Sequence, residues 1–136
     1  MNWKLILQLS LFGLIMAFGT ISLIPQKFEP IFWAVIFIFC AYVIAKTCTG
    51  KYFGHGFMVS IFNCFWILLV HILFFNSFML HHTSSMDKMP VALQTHPRQV
   101  MIIFGAIIGV VSGLVLGLFA YIASKIVKKE VPTIKA

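Results

Sequence analysis

Acidic residues are nearly missing from this 136-residue chain: Asp and Glu together number 3, against 10 Lys and Arg. They are Glu29, Asp87 and Glu130, and none stands inside an apolar run. That scarcity leaves too few carboxylates for paired acid–base chemistry or for a carboxylate-bridged metal pair. Cysteine is also scarce, with Cys40, Cys48 and Cys64 the only three and no CxxC pair among them. No disulfide framework is implied, and the three read as small apolar side chains. Five histidines are too few for the histidine boxes of membrane di-iron enzymes. No nucleophile elbow, phosphate loop or HExxH pair occurs. The sequence therefore predicts no catalytic residues, no enzyme activity and no cofactor.

What is present is hydrophobic sequence. Hydrophobic residues make up 61% of the chain and charged residues 10%, where soluble domains carry about 25% charged. Four apolar runs account for nearly all of it: Trp3 to Ile24, Pro30 to Lys46, His55 to Met79 and Gln99 to Val127. Crossing a hydrocarbon core about 30 Å thick takes roughly 20 residues of helix. A spanning segment must satisfy its own backbone, and the alternating strands of a barrel are absent, so the runs are helices. The expected fold is an all-α, integral membrane four-helix bundle forming one transmembrane domain over residues 1–136. The first run stays apolar past the length of a signal-peptide core, so it is expected to remain as an uncleaved span.

Charge sets the expected orientation. One side of the membrane holds Lys4, Lys46, Lys51, Lys125, Lys128, Lys129 and Lys135; the other holds Lys27, Lys88 and Arg98. The positive-inside rule then places both termini in the cytoplasm. A net charge of +7 thus marks span ends and anionic headgroups rather than nucleic acid. The short link Pro25 to Pro30 makes spans one and two expected neighbours.

The sharpest pattern is Gly105, Gly109, Gly113 and Gly117 in the last run, four glycines spaced by four. Without Cβ atoms they open a groove about 18 Å long at 1.5 Å per residue, a glycine zipper into which a second backbone can settle. Span one carries a small-residue stripe of its own in Ser10, Gly13, Ala17 and Thr20. Two pairings follow: span one against span four within the chain, or the zipper between chains of a homo-oligomer.

The third run supplies the polar content. Ser60, Asn63 and His71 share one helix face and form a candidate polar pathway, since ionisable groups within a membrane are costly to bury. The competing reading is a neutral imidazole hydrogen-bonded to Asn63 or to a neighbouring helix. Beyond the span lie soft and borderline metal donors: His81, His82, Met86 and Met89, with Met79, His96 and Met101 nearby. Such donors suit Cu(I) or a borderline divalent ion, though their spacing fits no ligand template.

Outer methionines beside a glycine-packed helix resemble the small trimeric copper transporters. The intramembrane MxxxM of that family has no counterpart here, because Met16, Met58, Met79 and Met101 stand alone. In layout the whole chain resembles the uncharacterised small four-span proteins of bacterial inner membranes: a short cytoplasmic start, a glycine-bearing last span and a Lys-rich end. That likeness carries over no functional residue. The leading expectation is a non-enzymatic membrane protein that acts by assembly, as a homo-oligomer or an accessory subunit of a membrane complex. The alternative is a small transporter or channel using the polar face of span three, with a metal ion as the candidate cargo.

Overall fold

Among the described residues every element is helical. The computed structural model describes residues 1–83, 87–88 and 90–127. The helices are α1 (Trp3–Ser22), α2 (Glu29–Thr47), α3 (Tyr52–Leu73), α4 (Phe75–His81), α5 (Val91–Gln94) and α6 (Pro97–Ile126). Four of them, α1, α2, α3 and α6, are long and apolar enough to cross a membrane. The chain is a multi-pass membrane protein.

Local chemistry sets the helix ends. Asn2 caps α1 by accepting the Leu5 N–H on its side-chain oxygen at 3.2 Å, which satisfies one of the free amides of a first turn. Pro30 sits in the first turn of α2, where its missing N–H costs nothing. The α2–α3 turn is closed by Lys51 in the left-handed region at φ 53°, a conformation that reverses the chain within a few residues.

The third apolar run does not form one continuous span. Its helix starts at Tyr52, earlier than the run, and breaks at Phe74 (φ −105°, ψ 32°) before α4 continues. No proline or glycine marks this break. At 22 residues, α3 already rises about 33 Å, enough for the hydrocarbon core. The break lets Phe74 meet Phe18 on α1, with ring centroids 5.9 Å apart.

α3 is the hub. It makes extensive contact with α6 along one flank and with α1 along another, while α2 leans chiefly on α6. Spans one and two are thus not the close neighbours that their short link suggested; they touch lightly, Phe12 edge-on to Phe39 at 5.5 Å. A core of Ile6, Leu9, Cys40, Ala41, Ile44, Val59, Leu116 and Ala120 joins all four spans near the end that carries Asn2 and Lys51. We call this the basic end, for Lys4, Lys46, Lys51 and Lys125.

The α6 glycines meet α3 rather than α1. A methyl group added at Gly109 would lie 2.5 Å from Cys64 Sγ, at Gly113 2.9 Å from the Phe57 ring, and at Gly117 2.9 Å from the Phe53 ring. At Gly105 it would meet the Leu68 side chain at 2.5 Å. Numbers rise along α6 as they fall along α3, so the two helices run antiparallel. Their closest approach is at Gly56, where an added methyl would sit 2.6 Å from the Leu116 carbonyl oxygen and 2.9 Å from the Gly117 backbone.

Candidate functional site

The small-residue stripe of α1 lies against the polar face of α3. The hydrogen bonds between the two helices join residues separated in sequence by 50, 51, 53 and 56. A nearly constant offset means that α1 and α3 run parallel, in register, along their whole length. Polar groups in hydrocarbon need partners from the protein itself, and α1 with its N-cap supplies one to His55, to Asn63 Oδ1, to Trp66 and to His71.

At mid-seam the Gly13 N–H donates to Asn63 Oδ1 at 3.0 Å. Only glycine permits this: a Cβ at position 13 would stand 2.6 Å from Asn63 Cα. The carboxamide orientation follows, because a backbone N–H can face only the oxygen. Asn63 Nδ2 is left buried with no acceptor among the described residues. Nearby, Trp66 Nε1–H donates to Ser10 Oγ at 3.2 Å, and the Ser10 hydroxyl donates to the Leu7 carbonyl at 2.8 Å. Ser10, Ser60 and Asn63 are all buried.

Toward the other end, His71 pairs with Thr20 and not with Asn63. Its Nε2 lies 3.1 Å from Thr20 Oγ1, whose own proton goes to the Ala17 carbonyl at 3.2 Å. The hydroxyl can then only accept, so Nε2 carries the hydrogen. The imidazole also packs on Phe78 of α4, centroids 4.4 Å apart, and Phe78 stacks on His82 at 4.3 Å. At the basic end His55 Nε2 accepts the Asn2 N–H at 2.9 Å while Nδ1–H donates to the Lys51 carbonyl at 2.8 Å. These partners place a hydrogen on Nε2 of His71 and on Nδ1 of His55.

Apolar layers separate the polar rungs. Between Asn63 and His71, a rise of about 12 Å at 1.5 Å per residue, lie Ala17, Ile21 and Val70 with Leu14 and Ile67 against them. Between Asn63 and His55, the same rise, lie Ile6, Leu9 and Val59. Asn63 and His71 thus occupy separate layers of the seam, and with the buried Ser60 they form no continuous polar file. What the arrangement does chemically is fix register and tautomer.

The candidate metal donors are dispersed. His81 is exposed and its Nδ1–H donates to the Ser77 carbonyl at 2.9 Å. His82 is turned inward, with Nδ1–H donating to the Phe78 carbonyl at 3.1 Å. Met86 and Met89 lie outside the described residues, as do Lys128, Lys129, Glu130 and Lys135. Among the described residues no three His, Cys, Asp or Glu side chains gather as a metal-binding group. Two shallow clefts open at the ends, about 520 Å³ beside Asn76, Thr83 and Asp87, and about 450 Å³ beside Asn2, Thr47 and His55.

Sequence reasoning overlooked His55, Gly56 and Trp66. Gly56 stands at four- and seven-residue spacing from Ser60 and Asn63, a signal that a second small-residue position lay on α3. Nothing in the sequence alone paired Trp66 with Ser10. Comparison with family models, curated proteins and solved structures finds no match to this chain.

Proposed function

We propose that this protein is a non-enzymatic membrane component that works by assembly, with copies of itself or as an accessory subunit of a larger membrane complex. One observation carries the reading: the small and polar side chains of the spans are taken up within the chain. Gly105, Gly109, Gly113 and Gly117 receive α3, and Ser10, Gly13 and Thr20 receive its polar face. The outward faces of α2 and α6 are left as apolar surface, with Val35 63% and Ile108 61% exposed. Lipid and other membrane helices are the contacts open to such faces.

In this reading the glycine stripe is an internal zipper that makes one stiff unit, and association between units uses the outer faces. Both termini lie in the cytoplasm of a bacterial inner membrane, supported by the lysines gathered at the basic end. Tyr42 and Tyr121 at that end lie beneath Lys46 and Lys125, 5.9 and 5.4 Å from ring to ammonium. Aromatic and basic residues together suit headgroup depth.

Native mass spectrometry of the protein extracted from its own membrane tests the proposal. A discrete homomultimer, or a second membrane subunit at fixed stoichiometry, is the expected result. A monomer that carries neither, in mild detergent and in nanodiscs alike, would sink it. A fluorescent-protein fusion at the C-terminus tests orientation separately, since it should fluoresce only from the cytoplasm.

A further inference from the structure

We infer that the cleft at the basic end, between the start of α1 and the α2–α3 turn, binds a phosphate group with Lys51 as its cation. The cleft measures about 450 Å³, and its lining includes Asn2, Thr47, Thr49, Gly50, Lys51 and His55. Small-molecule sites enclose roughly 300–1,000 Å³, so a phosphate with its ester groups has room. Charge there favours an anion. No carboxylate stands in the lining. Among the described residues the carboxylates are Glu29, at the far end of α2, and Asp87, beyond the far end of α3.

Lys51 is held from below. Its carbonyl oxygen accepts twice from His55, from the backbone N–H at 3.0 Å and from Nδ1–H at 2.8 Å. His55 is buried and takes the Asn2 N–H on its other ring nitrogen, which ties α1 to the same turn. The backbone beneath the lysine is therefore fixed, while its side chain stays exposed. Further donors share the lining. Thr47 and Thr49 carry hydroxyls, and the N–H groups of Thr49, Gly50 and Lys51 meet no acceptor among the described residues. A phosphate has several oxygens for such donors, and a lysine ammonium is a common partner for it. Two spans start and one ends beside the cleft, so it lies at headgroup depth. The phosphate of an anionic lipid is the nearest source at that depth; a soluble phosphate compound is the other.

The test uses the full chain, labelled with ¹⁵N, in a non-ionic detergent. Short-chain phosphatidylglycerol, short-chain phosphatidylcholine and inorganic phosphate are titrated separately at constant ionic strength. Saturable amide shifts confined to residues 47–55 are expected with phosphatidylglycerol, and far weaker ones with phosphatidylcholine. Lys51→Asn removes the charge, and asparagine tolerates the left-handed conformation. It should weaken binding about tenfold, the loss of one charge-assisted hydrogen bond, with the remaining amide shifts showing that the bundle is intact. Lys27→Gln, at the opposite end, should bind like the parent. Saturation by inorganic phosphate and not by the lipid would keep the site and make its ligand a soluble phosphate. The inference is overturned if neither saturates, if the two lipids bind alike, or if Lys51→Asn binds as tightly as Lys27→Gln.

Discussion

Consider replacing each glycine of the bundle in turn with alanine, which adds one methyl group and reports how closely the neighbouring helix approaches. At Gly56 the new carbon would fall 2.6 Å from the Leu116 carbonyl oxygen and 2.9 Å from Gly117 Cα and N. These are backbone atoms, so only a displacement of α6 relieves the clash. At Gly13 it would fall 2.6 Å from Asn63 Cα, with the same consequence for α1. Overpacking of this kind costs about 1–3 kcal/mol, and we place both variants at the upper end, about 3 kcal/mol. Gly109 and Gly117 rank next, because Cys64 and Phe53 press on them with atoms close to their own backbone. Gly113 meets mainly the Phe57 ring, and Gly105 only the far end of Leu68, which can rotate away. For Gly105→Ala the expected change is within about 0.5 kcal/mol, the range of surface substitutions. Gly54 has nothing within 4 Å, so Gly54→Ala gains helix propensity of up to about 1 kcal/mol. Reversible unfolding in mixed micelles, by titrating a denaturing detergent and following helix content, measures the series. If Gly56→Ala and Gly54→Ala unfold at the same point, the close crossing of α3 and α6 is wrong.

Three further substitutions probe the polar rungs and one helix end. Ser10→Ala removes the acceptor for the Trp66 indole, and should cost about 0.6 kcal/mol, the mean for hydrogen bonds between membrane helices, with a blue or red shift in tryptophan emission marking the altered surroundings. Thr20→Val leaves the His71 Nε2–H unpaired and is expected to cost about 1–3 kcal/mol, whereas Thr20→Ser should keep most of the stability; equal losses in the two would refute the hydrogen-bond assignment. Asn2→Ala removes the cap of α1 and should cost about 1 kcal/mol, read as faster amide exchange over the first turn alone.

The spans were legible in the sequence because their cause is local. Twenty or so apolar residues and a shortage of charge suffice to require a membrane helix, and three of the four lie within two residues of the expected limits, while the third starts three residues early and ends six short. The four-residue spacing of Gly105 to Gly117 likewise marked one helix face as small enough for a close neighbour. Which helix lies against that face could not be read, since Gly13 on α1 and Gly56 on α3 are equally small and only the three-dimensional arrangement decides between them. The break at Phe74 was hidden too, since no proline or glycine stands there to interrupt the helix. His71 was correctly placed on a common face with Asn63, yet its partner proved to be Thr20, because helical spacing gives direction but not the height of the helix opposite.

The position of α3 at the hub has a consequence for the order in which the protein is made. α1 and α2 leave the ribosome first, and they have little to hold each other by. The partner for the polar stripe of α1 is the third segment to be inserted, and the main support of α2 is the last. Until residues 52–73 enter the bilayer, Ser10 and Thr20 face lipid or the insertion machinery, and until residues 97–126 follow, the glycine faces stay open. Assembly of this bundle therefore waits on α3 and α6, and a nascent chain stalled between α2 and α3 would hold two helices with little contact between them.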